Sequence, residues 1–207
     1  VQTKSTIKRL EDGFLAAIEP ISGTLASWEV HPHVVTVIGF LGNILAGVLI
    51  WRGELFWGGV TVLLAGVCDV IDGKLARQTG KMSRYGALFD STTDRYSEVA
   101  IHLGIVGYFY NQIAFVSLLV ILALAGSIST SYVRARAEGL GISCSVGIMQ
   151  RQSRILLLAA GAILGSIHHV FMIIALAIIA LFSNITVVQR VVHSRRELGS
   201  QLGGSQR

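Results

Sequence analysis

The sequence predicts an all-α integral membrane protein, six transmembrane helices preceded by an interfacial amphipathic helix. Three observations carry that prediction. Hydrophobic residues make up 52% of the 207 positions and charged residues only 14%. Mean hydropathy is +0.64, more than a water-exposed surface accommodates. The apolar residues also gather into runs approaching the about 20 residues that a bilayer crossing takes. This length leaves room for about six or seven spans and no separate soluble domain, so residues 1–198 read as one membrane domain and 199–207 as a polar tail.

The elements follow in order. Between residues 5 and 25, Ile7, Leu10, Phe14, Leu15, Ile18 and Ile21 recur at three and four, with Lys8, Arg9, Glu11 and Asp12 between them, the pattern of a helix lying in the interface. No cleavable signal is expected in residues 1–24, which lack a basic stretch followed by an apolar core. Pro32 suits the opening of a first span over 34–51, because its missing amide proton would find no partner there. Further spans are predicted over 55–70, 85–110, 113–132, 155–167 and 170–192, with Trp51, Trp57, Tyr108 and Tyr110 near the interfaces. Gly39, Gly42 and Gly47, and Gly161 with Gly165, would let helices approach closely.

Lysine and arginine set the orientation. The N-terminal segment, the 73–84 and 134–154 connections and the tail hold Lys4, Lys8, Arg9, Lys74, Arg77, Lys81, Arg84, Arg134, Arg136, Arg151, Arg154, Arg190, Arg195, Arg196 and Arg207, against Arg52 alone in the alternate connections. Both termini are therefore expected in the cytoplasm. The net charge of +5 is distributed as in loops facing anionic lipid rather than along one face, so no nucleic-acid partner is expected. Cys68 and Cys144 make neither a disulfide framework nor a metal-binding pair.

The carboxylates are the informative feature. Of twelve acidic residues, Asp69, Asp72, Asp90, Asp94 and Glu98 fall in or at the ends of the second and third spans. A carboxylate at membrane depth is costly unless paired, hydrated or bound to a cation, so each is a functional candidate. Interhelical salt bridges are the structural alternative, with Arg77, Arg84 and Arg95 near in sequence. On helices, Asp69 with Asp72 and Asp90 with Asp94 each project within about 60° and about 40° of alignment, giving two acidic faces. Oxygen ligands without His or Cys select Mg²⁺, Mn²⁺ or Ca²⁺, and four aspartates suit two such ions, which in turn suit phosphate chemistry. Gly73, Ala76 and Gly86 leave space between the pairs, while Lys74, Arg77 and Lys81 offer charge to a diphosphate.

The eight positions Asp69, Asp72, Gly73, Ala76, Arg77, Gly86, Asp90 and Asp94 resemble, without a departure, the signature of the CDP-alcohol phosphatidyltransferase family. The resemblance implies six spans behind an interfacial helix, usually as a homodimer. It further implies transfer of a phosphatidyl-type group from a CDP-linked lipid to an alcohol, releasing CMP, in phospholipid biosynthesis. By motif position, Asp69, Asp72 and Asp90 would ligate metal, with two Mg²⁺ or Mn²⁺ ions per site. Asp94 would touch the second metal and take the acceptor's proton. Gly73 and Arg77 would contact the nucleotide diphosphate, and His33, Val34, Val35, Thr36 and Ser83 match positions that touch the CDP-lipid. The expected location is a prokaryotic cell membrane with a cytoplasmic active site. That chemistry suits the residues, since an alcohol needs a base near its proton and the leaving phosphate needs charge stabilisation.

Residues 91–95 and 131–138 are similar to stretches of the prokaryotic phosphatidylinositol-phosphate and archaetidylinositol-phosphate synthase branch, where basic residues at the positions of Arg134, Arg151 and Arg154 line an inositol-phosphate pocket. Two departures bear on the acceptor. No lysine or arginine stands between Pro20 and Arg52, and Arg151-Gln152-Ser153-Arg154 replaces the branch's usual Arg-Pro-Glu-Arg. Free inositol, another polyol or glycerol phosphate stays open as acceptor. Arg134, Arg136, Arg151 and Arg154 also read as ordinary loop charge. A cation transporter is the alternative from another class, since intramembrane carboxylates mark ion pathways as well.

Overall fold

In the computed structural model the backbone is described over residues 2–110 and 114–204, and side chains over residues 13, 16–110 and 115–199. Every regular element among the described residues is a helix: α1 (Gln2–Ser27), α2 (Pro32–Trp51), α3 (Leu55–Gln78), α4 (Arg84–Phe109), α5 (Ala114–Gly139), α6 (Arg151–Gly165) and α7 (Val170–Gly204). The protein is all-α and largely embedded in the membrane. Among the described residues four stretches are long and apolar enough to cross it, Pro32–Trp51, Leu55–Gln78, Phe115–Gly139 and Val170–Gly199. The other two predicted spans fall short of that measure for different reasons. Helix α4 carries Asp90, Asp94, Arg95 and Glu98. Helix α6 has 15 residues, and at about 1.5 Å per residue it is shorter than the about 30 Å hydrocarbon core.

Hydropathy also misplaced two helix ends. Helix α3 continues to Gln78 because Ile71 and Leu75, four apart, are buried against Ile18 and Val35. Helix α5 continues to Gly139, with Ala137 buried against Ile142 and Cys144. Lys74, Arg77, Arg134 and Arg136 therefore stand on helices, not in the connections where the sequence placed them. The predicted interfacial helix corresponds to α1; Ile18 is buried and Ile21 exposed, while the side chains of Ile7, Lys8, Arg9, Leu10, Glu11, Asp12, Phe14 and Leu15 lie outside the described residues. The expected polar tail begins as helix, since α7 extends through Gly204. Residues 205–207 lie outside the described residues.

The chain divides into two compact units, Val1–Gly42 with Leu64–Tyr96, and Asn43–Leu63 with Ser97–Arg207. In the first unit the small residues of α2 admit α3 closely, since a Cβ on Gly39 would lie 3.0 Å from Cys68 Cβ. Lys74 pairs with Glu19 of α1, whose carboxylate also accepts a 2.8 Å hydrogen bond from Gln78 Nε2. Ser83 caps α4, its Oγ accepting the Gly86 N–H at 2.9 Å.

In the second unit Ile50, Val62, Ile105, Phe109, Leu158, Met172 and Ile179 belong to one buried apolar cluster, and α7 packs against both α5 and α6. Large apolar side chains such as Leu103, Ile121 and Leu181 are exposed, as expected where lipid is the solvent. The non-helical segment 142–150 is held by side chains. Thr186 Oγ1 accepts the Met149 N–H at 3.0 Å and Gln189 Oε1 the Ile148 N–H at 3.2 Å. Arg190 Nε donates to the Val146 carbonyl at 2.8 Å, and His193 Nε2 bonds the Ser143 carbonyl at 3.1 Å. Irregular backbone is admissible near a bilayer only with its polar groups satisfied in this way.

Candidate active site

The first unit contains a cavity of about 170 Å³ where the start of α2, the end of α3 and the start of α4 meet. Its lining includes His33, Thr36, Gly73, Arg77 and Ser83, five of the seven residues expected to touch the CDP-lipid. The other two lie elsewhere. Val34 is an exposed side chain of α2, and Val35 is buried in the apolar cluster with Ile71 and Leu75. Alternation around a helix explains this, because neighbours 100° apart cannot all face one cavity. Asp72 and Asp90 also line it, with Lys81, Met82 and Ala87; Met82 in the turn before α4 and Ala87 in the first turn of α4 are apolar residues without a sequence signal.

Each polar group in the wall has a local cause. Asp72 is buried, and Thr36 Oγ1 donates a 2.6 Å hydrogen bond to its Oδ2. Gly73 leaves the space beside it open, the nearest atom to a built Cβ being Arg77 Nη1 at 3.8 Å. At Gly86 a Cβ would meet Ser83 Oγ at 3.1 Å and His33 Cε1 at 3.2 Å, so a side chain there would crowd the wall. Ser83, Gly86 and Ala87 at the start of α4 line the cavity beside Arg77 and Lys81, and a helix N-terminus carries the positive end of its dipole. A small concave site with cationic groups, a helix N-terminus and carboxylates suits a metal-bound diphosphate. Lys74 contributes less than expected, because its ammonium is engaged by Glu19.

Asp69 and Asp90 are near enough to Asp72 to repel its charge. Asp69 Oδ1 faces α2, 3.5 Å from where a Gly39 Cβ would stand. Asp94 is buried, with Arg95 Nη2 3.6 Å from its Oδ2. Among the described residues no three His, Cys, Asp or Glu side chains are already grouped as the ligands of one ion. The donor chemistry fits a divalent metal nonetheless. These carboxylates offer only oxygen, which suits a hard cation, and Asp72, facing the like charges of Asp69 and Asp90, gains from one.

The second unit holds the arginines. Arg151 and Arg154 occupy the first turn of α6, and Arg134 stands on α5, its Nε donating to Glu138 Oε1 at 2.8 Å. Arg154 is 3% exposed and pairs with Glu98. Arg190 of α7, which the sequence offered only as positive-inside charge, is buried and bonded through Nη1 to the Thr130 carbonyl at 2.6 Å. Arg134 and Arg154 lie within electrostatic reach of it. The sequence signal was weak, because Arg190 stands two residues from the end of the predicted 170–192 span, where arginine is common.

The pattern described as CDP-alcohol phosphatidyltransferase matches residues 29–192. The chain belongs to the CDP-alcohol phosphatidyltransferase family. It is 36% identical over 199 residues to a phosphatidylinositol phosphate synthase of Streptomyces avermitilis, covering 89% of this chain and 80% of that protein. It is also 36% identical over 178 residues to an archaetidylinositol phosphate synthase of Methanothermobacter thermautotrophicus, covering 85% and 87%. Among solved structures, phosphatidylinositol phosphate synthase of Mycobacterium tuberculosis with CDP-DAG bound aligns with a TM-score of 0.78 at 28% identity, over 84% of this chain and 92% of that one. The same enzyme in complex with manganese and citrate aligns with a TM-score of 0.77 at 29% identity, over 84% and 87%.

The phosphatidyltransferase is thus an enzyme of the membrane that takes a CDP-linked lipid and an alcohol and releases CMP. The transport reading of its aspartates is set aside. Its resemblance to the inositol-phosphate branch, carried by residues 91–95 and 131–138, agrees with the relatives found.

Proposed function

We propose that the transferase moves a phosphatidyl-type group from a CDP-linked lipid to inositol phosphate, at a site formed by the aspartates Asp69, Asp72, Asp90 and Asp94. The observation that carries this reading is the cavity lined together by Thr36, Asp72, Gly73, Arg77, Ser83 and Asp90. Asp69, Asp72, Asp90 and Asp94 would hold two Mg²⁺ or Mn²⁺ ions. When bound, such ions offset the phosphate charge and stabilise the leaving CMP. Thr36 keeps one oxygen of Asp72 directed, Arg77 and Gly73 receive the diphosphate, and His33 and Ser83 border the nucleotide. Asp94 takes the proton of the acceptor hydroxyl as its oxygen bonds to the lipid-side phosphorus and the bond from that phosphorus to CMP breaks.

Arg134, Arg151 and Arg154 are the acceptor contacts in this reading, and Arg190 joins them on the strength of its closeness to Arg134 and Arg154. The names of the relatives from Streptomyces and Methanothermobacter support inositol phosphate. Helix α4 would cross as well, since the burial of its Asp94 and Glu98 removes the objection from charge, and the shorter α6 would complete the six spans that the family resemblance implies. Helix α1 lies in the interface, with both termini and the site cytoplasmic, as the distribution of lysine and arginine supports. The family's habit supports a homodimer.

The test offers purified enzyme CDP-diacylglycerol and Mg²⁺ with equal concentrations of inositol phosphate, inositol and glycerol phosphate, and identifies the lipid product by mass. A phosphorylated inositol lipid as the main product is expected. A product from free inositol or glycerol phosphate would overturn the acceptor assignment and leave the transferase intact.

A further inference from the structure

We infer that Glu98 is a positioning residue for acceptor recognition, fixing the guanidinium of Arg154 through a buried pair that Ser127 anchors; this rests on the reading of Arg154 as an acceptor contact. Glu98, Ser127 and Arg154 are 4%, 1% and 3% exposed. Arg154 Nη2 donates to Glu98 Oε1 at 3.1 Å, while Ser127 Oγ donates to Glu98 Oε2 at 2.6 Å. A carboxylate with one oxygen held from α5 and the other from α6 cannot turn without losing a bond. The other end of the guanidinium is set too, because Arg154 Nη1 donates to the Met149 carbonyl at 3.3 Å and the Met149 N–H is bonded to Thr186 of α7. Two contacts from opposite sides define the plane of a rigid fork.

Stability alone is a poor reason for such a pair. Removing two charges from water costs about what their attraction returns, and apolar side chains of similar volume often do as well. Geometry is a better reason. An arginine on a long flexible stem loses much rotamer freedom when it grips a ligand, and a side chain already held has lost that freedom in advance. Glu98 also balances the Arg154 charge, so reach and charge have to be separated. Asp at position 98 keeps the charge and shortens the reach by one methylene.

Steady-state CMP release, with inositol phosphate and CDP-diacylglycerol varied in turn, is measured for wild type, Glu98→Asp, Ser127→Ala, Arg154→Gln and the double variant Glu98→Asp/Arg154→Gln, with thermal unfolding of each. Glu98→Asp is expected to raise the acceptor KM about fivefold or more while kcat and the CDP-lipid KM stay within about twofold. Ser127→Ala should give a smaller rise in the same direction. In the Arg154→Gln background Glu98→Asp should add nothing, because the two act as one unit. Activity lost only in proportion to unfolded protein, or both KM values rising together, would overturn the inference. Should Glu98→Asp fail to fold, Ser127→Ala decides, and an unchanged acceptor KM there is equally fatal. A raised KM in Arg154→Gln beside a normal one in Glu98→Asp removes only the role of Glu98. A normal KM in Arg154→Gln removes the acceptor role of Arg154 and this inference with it.

Discussion

Thr36 Oγ1 donates a 2.6 Å hydrogen bond to Asp72 Oδ2, and both side chains are buried. The bond joins α2 to α3 at the wall of the cavity and directs one oxygen of a carboxylate proposed to bind metal. Thr36→Val keeps the shape and removes the donor. Loss of a hydrogen bond to a metal-binding side chain commonly weakens metal affinity by roughly tenfold or more. The Mg²⁺ concentration for half-maximal CMP release should rise by that order, and an unchanged metal requirement would show that Thr36 does not serve Asp72 in this way.

Asp94→Asn separates the base from the nucleotide site. The amide is similar in shape but cannot accept the proton, so kcat should fall by about a hundredfold or more while CDP-lipid binding changes little. Turnover at the wild-type rate with saturating substrates would exclude Asp94 as the base.

Gly86→Val tests the width of the cavity. Even the first carbon of the new side chain would stand 3.1 Å from Ser83 Oγ and 3.2 Å from His33 Cε1. The CDP-lipid KM should rise by about tenfold with the acceptor KM nearly constant, as expected when only the nucleotide side is narrowed. Equal effects on both substrates would place Gly86 outside the nucleotide wall.

Glu19→Gln bears on the fold rather than the chemistry. Its carboxylate is 58% exposed beside Lys74. Lys74 is 14% exposed, but the Glu19 end of the pair stands in solvent, and a pair screened on one side contributes about 1 kcal/mol or less, so thermal unfolding should shift only slightly and the kinetic constants should stay as they are. A large loss of stability would mean that the tie between α1 and α3 matters more than its exposure implies.

How far the sequence could be read depended on what kind of signal each residue carried. Asp69, Asp72, Asp90 and Asp94 stood out because charge is rare in apolar runs, and regular spacing placed each pair on one helix face. Helix ends were less legible. Hydropathy falls where the membrane ends, whereas α3 and α5 continue on buried pairs such as Ile71 with Leu75. The family resemblance puts Val34 and Val35 with His33 and Thr36 against the CDP-lipid, whereas the turn of the helix leaves the two valine side chains out of the cavity lining. Arg154 was visible as a charge, but its pairing with Glu98 joins residues 56 apart in sequence, which no local pattern reveals.

Metal-dependent transfer is tested by following both products of one reaction. Purified enzyme in lipid nanodiscs is given CDP-diacylglycerol labelled in its glycerol, inositol phosphate and Mg²⁺, and CMP and labelled phospholipid are quantified over time. Equal amounts of CMP and a new inositol-phosphate lipid are expected, both abolished by a chelator and restored by Mg²⁺ or Mn²⁺. CMP release without the new lipid, or turnover that continues in excess chelator, would contradict metal-dependent transfer at the aspartate site.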